Sequence, residues 1–293
     1  MSESAGLATA IARFVGEGTL HKTALDGLNL YRSEQEIGRQ PIVYDPTICV
    51  IAQGRKKIYF GDYTSGYDRD NYLINSLTMP IEAEVVSATP DKPYLGLSLA
   101  IDPKIVSQLM LEMDRLVPQA EAKQASSIIS SAAVTDRLSD CFVRLVSLLD
   151  SPVDLEILAH GLKREIYYEV LKGPQGHLLR NCVTNLSGAN RIAPVVHYIE
   201  ENFHRSLDIE TLAGYASMST SSLHAHFKQV TSMSPMQFVK TLRLHKARLM
   251  LLSGDPASEA SYRVGYSSPS QFSREFKRFF GDSPREVLAS AVA

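Results

Sequence analysis

The last hundred or so residues carry one pattern twice, and that repeat limits the possible folds more than any other feature of the chain. The first copy is LAGYASMSTSSLHAHFKQVTSMSP, Leu212 to Pro235; the second is ASYRVGYSSPSQFSREFKRFFGDSP, Ala260 to Pro284. Each reads as a short helix, a tight turn, a second helix with an apolar stripe, and a small-residue loop ending in Ser-Pro. Leu223 matches Phe272, Phe227 matches Phe276 and Pro235 matches Pro284, all 49 residues apart. Before the turn the offset is 48, because Ala216-Ser217-Met218-Ser219 matches Val264-Gly265-Tyr266-Ser267, so the second turn holds one extra residue. Two copies are too few for a solenoid, and a paired module fits better. Two helices joined by a short turn form the helix-turn-helix unit, whose second helix lies in the DNA major groove.

Spacing supports the helices. Leu223, Phe227 and Val230 recur at one helical face, as do Phe272, Phe276, Phe279 and Phe280. Ser219, and Ser267 or Ser268, stand where an N-cap hydroxyl satisfies free backbone N–H groups. The opposite faces carry Ser221, Ser222, His224, Ala225 and Lys228 in the first copy, and Ser270, Gln271, Ser273, Arg274, Lys277 and Arg278 in the second. Short polar side chains with Arg and Lys suit a groove wall, reaching base edges and phosphates; for one copy alone, a solvated face beside a core stripe is an equal reading. Between the copies, MQFVKTLRLHKARLMLLS (Met236 to Ser253) predicts one long helix ended by Gly254-Asp255-Pro256. A rigid helix there would hold both units at a fixed separation, in successive major grooves about 34 Å apart.

The stretch from Arg191 to Val287, about a third of the chain, resembles the DNA-binding domain of AraC/XylS-family transcription regulators. The resemblance rests on LAGYASMSTSSLHAHFKQVTSMSPMQFVKTLRLHKARLML and on VGYSSPSQFSREFKRFFGDSP, the more specific of the two. By position in the motif it implies that Ser270, Ser273 and Arg274 face bases, that Lys277 and Arg278 meet phosphate or water, and that Ser221, His224 and Ala225 form the matching face of the first unit. The family often carries Arg in the first recognition helix, where this chain has Leu223-His224-Ala225-His226. Arg to guanine is the commonest specific base contact, so base readout by the first helix is expected to be weaker or to use His224. Ser261 stands where the second unit usually has Ala.

Charge divides the chain in the same place. Of 30 Lys+Arg and 32 Asp+Glu, 12 and 9 lie from Arg191 onward, a net of +3, leaving −5 on residues 1 to 190. The 293 residues suffice for two ordinary domains. Cys49, Cys141 and Cys182 are scattered, with no Cys-x-x-Cys, and are expected to be buried structural thiols rather than a zinc site or redox pair. Neither a charged-then-apolar leader nor a membrane-spanning apolar run is found, so a cytoplasmic protein is expected, with no membrane partner.

From Leu25 to Ile101 short β-type runs alternate with Gly, Pro, Asp and Asn: Leu28 to Arg32, Ile48 to Ala52, Lys57 to Phe60, Asn71 to Ile74, Glu84 to Val86 and Tyr94 to Leu99. Such spacing suggests a sandwich or barrel. PTICVIAQGRKKIYFGD, DRDNYLINSLTMPIEAEV and PDKPYLGLSLAID resemble the N-terminal domain of one AraC-type subgroup, which implies a cupin-like barrel with a central cavity. A cupin metal site needs about three His and a carboxylate, and no His lies between Lys22 and Ala159, so no metal or cofactor is expected and the cavity would hold a small organic effector. Tyr44, Tyr59, Tyr72 and Met79 are candidates to line it, or ordinary core.

After Asp102-Pro103 the pattern turns helical. Val134, Leu138, Cys141, Leu145 and Leu149, widened by Phe142, form a stripe. A stripe of this kind usually packs on its own domain; the family resemblance raises a second use, pairing with its twin in a homodimer. LAHGLKREIYYEVLKGPQGHLLR predicts one or two helices broken at Gly173-Pro174. The expected organisation is α+β in two domains: residues 1–184 (a barrel over about 20–101, helices over about 103–182), a linker at 185–190, NLSGAN, and an all-α double helix-turn-helix domain over 191–293. The expected function is an effector-sensing, sequence-specific regulator of transcription, not an enzyme, that binds double-stranded DNA and, if it activates, RNA polymerase. A regulator without a ligand is the alternative, and a cupin enzyme with a DNA-binding appendage a remoter one, because no catalytic constellation is visible.

Overall fold

Each apolar run of the N-terminal half becomes a strand. The computed structural model describes residues 3–16, 18–61, 63–116, 128–184 and 191–292, so the expected linker at 185–190 lies outside them. The strands are β1 (Leu20–Lys22), β2 (Leu28–Ser33), β3 (Ile37–Tyr44), β4 (Thr47–Gln53), β5 (Arg55–Phe60), β6 (Tyr63–Asp68), β7 (Asn71–Asn75), β8 (Met79–Ser87), β9 (Tyr94–Ala100) and β10 (Ile129–Ala133). They build a six-stranded sheet in the order β1-β2-β9-β4-β7-β10 and a four-stranded sheet in the order β3-β8-β5-β6. The larger sheet is antiparallel throughout, with Leu30 opposite Leu97 and Val50 opposite both Leu97 and Tyr72. Residues 1–39, 44–77 and 83–187 cluster as one unit; residues 40–43, 78–82 and 188–293 cluster as the other.

Around this β-structure run α1 (Glu3–Ala12), α2 (Pro103–Leu116), α3 (Asp136–Ser147) with a following 3-10 turn, α4 (Pro152–Lys172) and α5 (Gly176–Thr184). Period 2 decides which side chains the helices cover. Leu28 and Leu30, Ile48 and Val50, Tyr72 and Ile74, and Leu95, Leu97 and Leu99 share one core with Ile11, Val106, Phe142, Ile166 and Leu178 of the helices. Tyr167 fastens this layer: its hydroxyl donates to the Ala100 carbonyl at 2.7 Å and accepts from the Asp102 N–H at 3.1 Å. The break at Gly173-Pro174 occurs where expected, and Gly176 is the residue that lets α5 fold back. A Cβ there would lie 2.1 Å from the Leu171 carbonyl oxygen, well inside van der Waals contact.

Four expectations need correction. Of the two uses open to the α3 stripe, packing on its own domain holds and pairing with a second subunit does not: Leu138, Cys141, Phe142 and Leu145 are at most 2% exposed, and Val134 and Leu149 pack against the same cluster. Apolar area on α3 is satisfied within its own domain, against α1 and α4. Tyr72 faces this helix layer, not the space between the sheets. Tyr59 shares its face of β5 with Lys57, not with buried Ile58; its hydroxyl donates to Glu84 at 2.6 Å and Arg39 lies over its ring. The region after residue 103 is not all helix, because β10 returns to pair with β7. Of the four residues named for the cavity, Tyr44 lies between the sheets, where its hydroxyl is 3.4 Å from that of Tyr67, and Met79 is fully buried on the alternation of Ile81, Ala83 and Val85. All three cysteines are free thiols, and burial pushes Cys49 and Cys141 up to about 11 and Cys182 to about 12.

The C-terminal unit contains α6 (Ile192–Asn202), α7 (Ile209–Tyr215), α8 (Thr220–Thr231), α9 (Pro235–Leu252), α10 (Ala257–Arg263), α11 (Pro269–Phe280) and α12 (Pro284–Val292). α7 and α8 form the first repeat, α10 and α11 the second, and α9 is the long connecting helix.

Candidate nucleic-acid interface

The two turns are built alike. Ser217 and Gly265, 48 residues apart, both have positive φ, at 52° and 91°. In each, the next residue's N–H donates back across the turn, Met218 to the Ala213 carbonyl at 2.9 Å and Tyr266 to the Ser261 carbonyl at 3.0 Å. The recognition helices then start on serine caps: Ser219 accepts from the Ser222 N–H, and Ser268, the second of the two candidates, from the Gln271 N–H. Both end on a left-handed residue, Ser232 at φ 56° and Gly281 at φ 88°. The Ser-Pro that closes each repeat begins the next helix. Ser234 and Gln237 form a capping box ahead of α9, and Ser283 and Glu286 make the same reciprocal bonds ahead of α12.

Burial fixes which face is free. Leu223 and Phe227 on α8, and Phe272 and Phe276 on α11, are fully buried. Phe272, Phe276 and Phe280 run along α11 with ring centroids 5.4 and 4.7 Å apart. The opposite faces are open: Ser221, His224 and Lys228 on α8 are exposed, as are Ser270, Gln271, Arg274, Lys277 and Arg278 on α11, while Ser222 and Ser273 are half-buried. Thus all ten polar residues singled out lie on two helices and away from their stripes. Arg274 makes no hydrogen bond or ion pair among the described residues, so its guanidinium is available. Two others are partly engaged: Ser222 Oγ lies 3.3 Å from His226 Nδ1, and Gln271 Nε2 donates to Glu275 at 3.3 Å.

Glu275 is the residue that sequence reasoning missed. It accepts from Lys240 of α9 at 2.9 Å, from the Tyr266 hydroxyl at 3.1 Å and from Gln271. Partial burial works to raise its carboxyl, and the hydrogen bonds from Lys240, Gln271 and Tyr266 outweigh it, leaving the group below its ordinary value. The tie fixes the recognition helix to the connecting helix. Its signal was the Gln271/Glu275 spacing, a helical i,i+4 pair. Two more connecting-helix cations turn inward: Arg243 donates to the Phe203 and Arg205 carbonyls, both at 2.7 Å, and Arg248 lies over the Phe280 ring. The recognition helices themselves are unequally charged. α8 has Lys228 alone, whereas α11 has Arg274, Lys277 and Arg278.

Comparison with known proteins agrees with this division. Residues 24–178 match the family model described as the AraC-type transcriptional regulator N-terminus, and residues 212–290 match a helix-turn-helix domain. Over 98 residues, 33% of the chain and 35% of the relative, the chain is 35% identical to the HTH-type transcriptional activator RhaS of Enterobacter sp. (strain 638). Over 183 residues, 61% of the chain and 64% of the relative, it is 28% identical to RhaS of Salmonella schwarzengrund (strain CVM19633). The chain thus spans between about a third and just under two thirds of these curated relatives. Its fold is similar to that of wild-type ToxT from Vibrio cholerae strain SCE256, solved with an unsaturated fatty acid bound. The TM-score is 0.59 and the identity 14%, over 89% of this chain and 94% of that one. No helix among the described residues is long and apolar enough to cross a membrane.

Proposed function

The chain belongs to the AraC-type transcriptional regulators, and from that premise we propose that it regulates transcription by reading DNA with two unequal recognition helices under the control of a small molecule held by its β-domain. α11 carries the base-reading chemistry. Ser270, Ser273 and Arg274 face base edges, and Lys277 and Arg278 meet phosphates. α8 contributes chiefly position, through Ser221, Ser222, Lys228 and the shorter reach of His224. The observation that carries this reading is the exposed, unpartnered guanidinium of Arg274 on a helix pinned through Glu275. An Arg on guanine supplies about 1–3 kcal/mol of discrimination, and a phosphate contact supplies none.

The effector reading rests on a β-domain that is large relative to what DNA binding needs, and on the fatty acid bound by the ToxT fold. An effector acts by binding two states of the regulator unequally, shifting the DNA-competent population. The DNA lies in the cytoplasm of the bacteria that carry the relatives, which is where we place the protein. Where it activates, RNA polymerase is the partner; where it dimerises, the face used is not the α3 stripe.

The test is Arg274→Ala on the full chain, with DNA selected from a random pool as the cognate site. At one fixed salt concentration the variant should bind that site about 10- to 100-fold more weakly and random DNA nearly as before. An equal loss on both would make Arg274 a phosphate contact and refute the assignment.

A further inference from the structure

Between the two sheets sits a cation with no counter-charge among the described residues. Lys56 alternates with Lys57 on β5, so its side chain turns inward with Ile58, and its ammonium lies 5.2 Å from the Tyr44 ring centroid and 6.0 Å from that of Tyr31. Tyr31 comes from the larger sheet and Lys56 from the smaller, so the site is built by both. The Tyr31 hydroxyl is 3.1 Å from Ser98 Oγ, and the Tyr44 hydroxyl is 3.4 Å from that of Tyr67. In each of these pairs one hydroxyl hydrogen bonds the other, which leaves one O–H free to donate. Burial holds all three phenols above their ordinary value, Tyr31 at about 12, so they are protonated donors.

No carboxylate among the described residues pairs with Lys56; the nearby acid of the same sheet, Glu84, is taken by Tyr59 and Lys57 on the opposite face. The titratable neighbour is the Cys49 thiol, which burial pushes up to about 11 and so keeps neutral. An ammonium withdrawn from water is ordinarily paired, and ring faces compensate it only in part. Lys56 and Tyr31 nevertheless keep partial exposure.

We propose that the interior of the β-domain binds a small organic monocarboxylic acid, with Lys56 and the inward tyrosine hydroxyls receiving the carboxylate and the aromatic faces its apolar body. This deepens the effector reading above and rests on it. The chemistry selects for the anion: a matched amide offers neither the charge for Lys56 nor a second acceptor oxygen for the phenols.

The experiment is thermal unfolding and titration calorimetry of the full chain with benzoate, phenylacetate and hexanoate against benzamide, phenylacetamide and hexanamide. At least one acid should raise the melting temperature, and its amide should not. Lys56→Met should weaken that acid about 10- to 100-fold, the worth of a charge-assisted hydrogen bond, without lowering the melting temperature of the ligand-free protein. Tyr44→Phe, which keeps the ring and removes a donor, should weaken it less and covers the case in which Lys56→Met fails to fold. Amides that act as well as acids, in wild type and variant alike, would overturn the acid assignment while leaving the effector reading in place. No response to any acid would overturn the assignment too, and no response to the amides either would count against the effector reading.

Discussion

His245 should make the stability of the DNA-binding domain fall as the pH drops below neutrality. It lies on α9 at 7% exposure, with the Phe279 and Phe280 rings edge-on at 5.5 and 5.2 Å. Its Nε2 has no hydrogen-bond partner. Burial, and then the nearby Arg248 charge, lower its pKa from 6.5 to about 3. The folded domain therefore keeps the ring neutral, while the unfolded chain takes up a proton once the pH falls below 6.5. Proton uptake by the unfolded state alone favours unfolding, so stability is lost between about pH 6.5 and pH 3, and above pH 6.5 the group contributes no slope.

One unit of pKa difference is worth about 1.4 kcal/mol, so at pH 5 the loss is about 2 kcal/mol. For a domain of about a hundred residues that is roughly 10 °C in melting temperature. His245→Leu keeps an apolar side chain among the phenylalanines and removes the titration. Calorimetric melts of wild type and variant from pH 7.5 to pH 4.5 isolate the effect, because every other titrating group cancels in the difference. The variant should gain steadily on the wild type as the pH falls. Parallel curves would refute the reasoning and mean that the folded site accepts the proton.

Three further outcomes follow from the repeat itself. Ser217→Gly and Ser232→Gly should each stabilise the first unit by about 1 kcal/mol in urea unfolding, because a non-glycine residue pays that much in the left-handed region. Gly265→Ala should cost more, since its Cβ would lie 2.7 Å from the His204 carbonyl oxygen. Ala225→Arg places a guanidinium at the α8 position that Arg274 holds on α11. It should tighten DNA binding and steepen its logarithmic salt dependence by about one unit, checked by titrations at several salt concentrations.

How far the fold could be read in advance follows sheet position. β2, β4, β5, β7, β8 and β9 were legible, and all are interior strands of their sheets. The four strands that went unread, β1, β3, β6 and β10, are the four sheet edges. An edge strand tolerates Pro41 and Gly38 in β3 and the polar run Thr64-Ser65-Gly66 in β6, and so loses the apolar signature. Strand faces were harder to read than strands. β4 and β7 are buried on both sides, by helices on one and by the second sheet on the other, so alternation does not mark which tyrosines turn inward. That is why Tyr72 was misplaced. α3 left two readings open for a related reason: an apolar stripe reports burial and says nothing of whose surface buries it.

The helix-turn-helix residues were legible because a recognition helix must keep its binding face free of the core, so period 3.6 separates the two roles cleanly. The difference between the copies extends below that surface. At both left-handed positions the second unit has glycine, Gly265 and Gly281, where the first strains serine, Ser217 and Ser232. The second unit also ties its recognition helix to α9 through Glu275, Lys240 and Tyr266, a constellation whose first-unit counterpart, His226, bonds back to its own helix at the Ser222 carbonyl. Base-edge hydrogen bonds require side chains held within fractions of an ångström, whereas phosphate contacts tolerate slack. The unstrained, pinned helix is the one that carries Arg274, and the helix without that tie carries Lys228 as its one Lys or Arg. The chemistry of the two faces and the construction of the two scaffolds therefore point to the same division of labour.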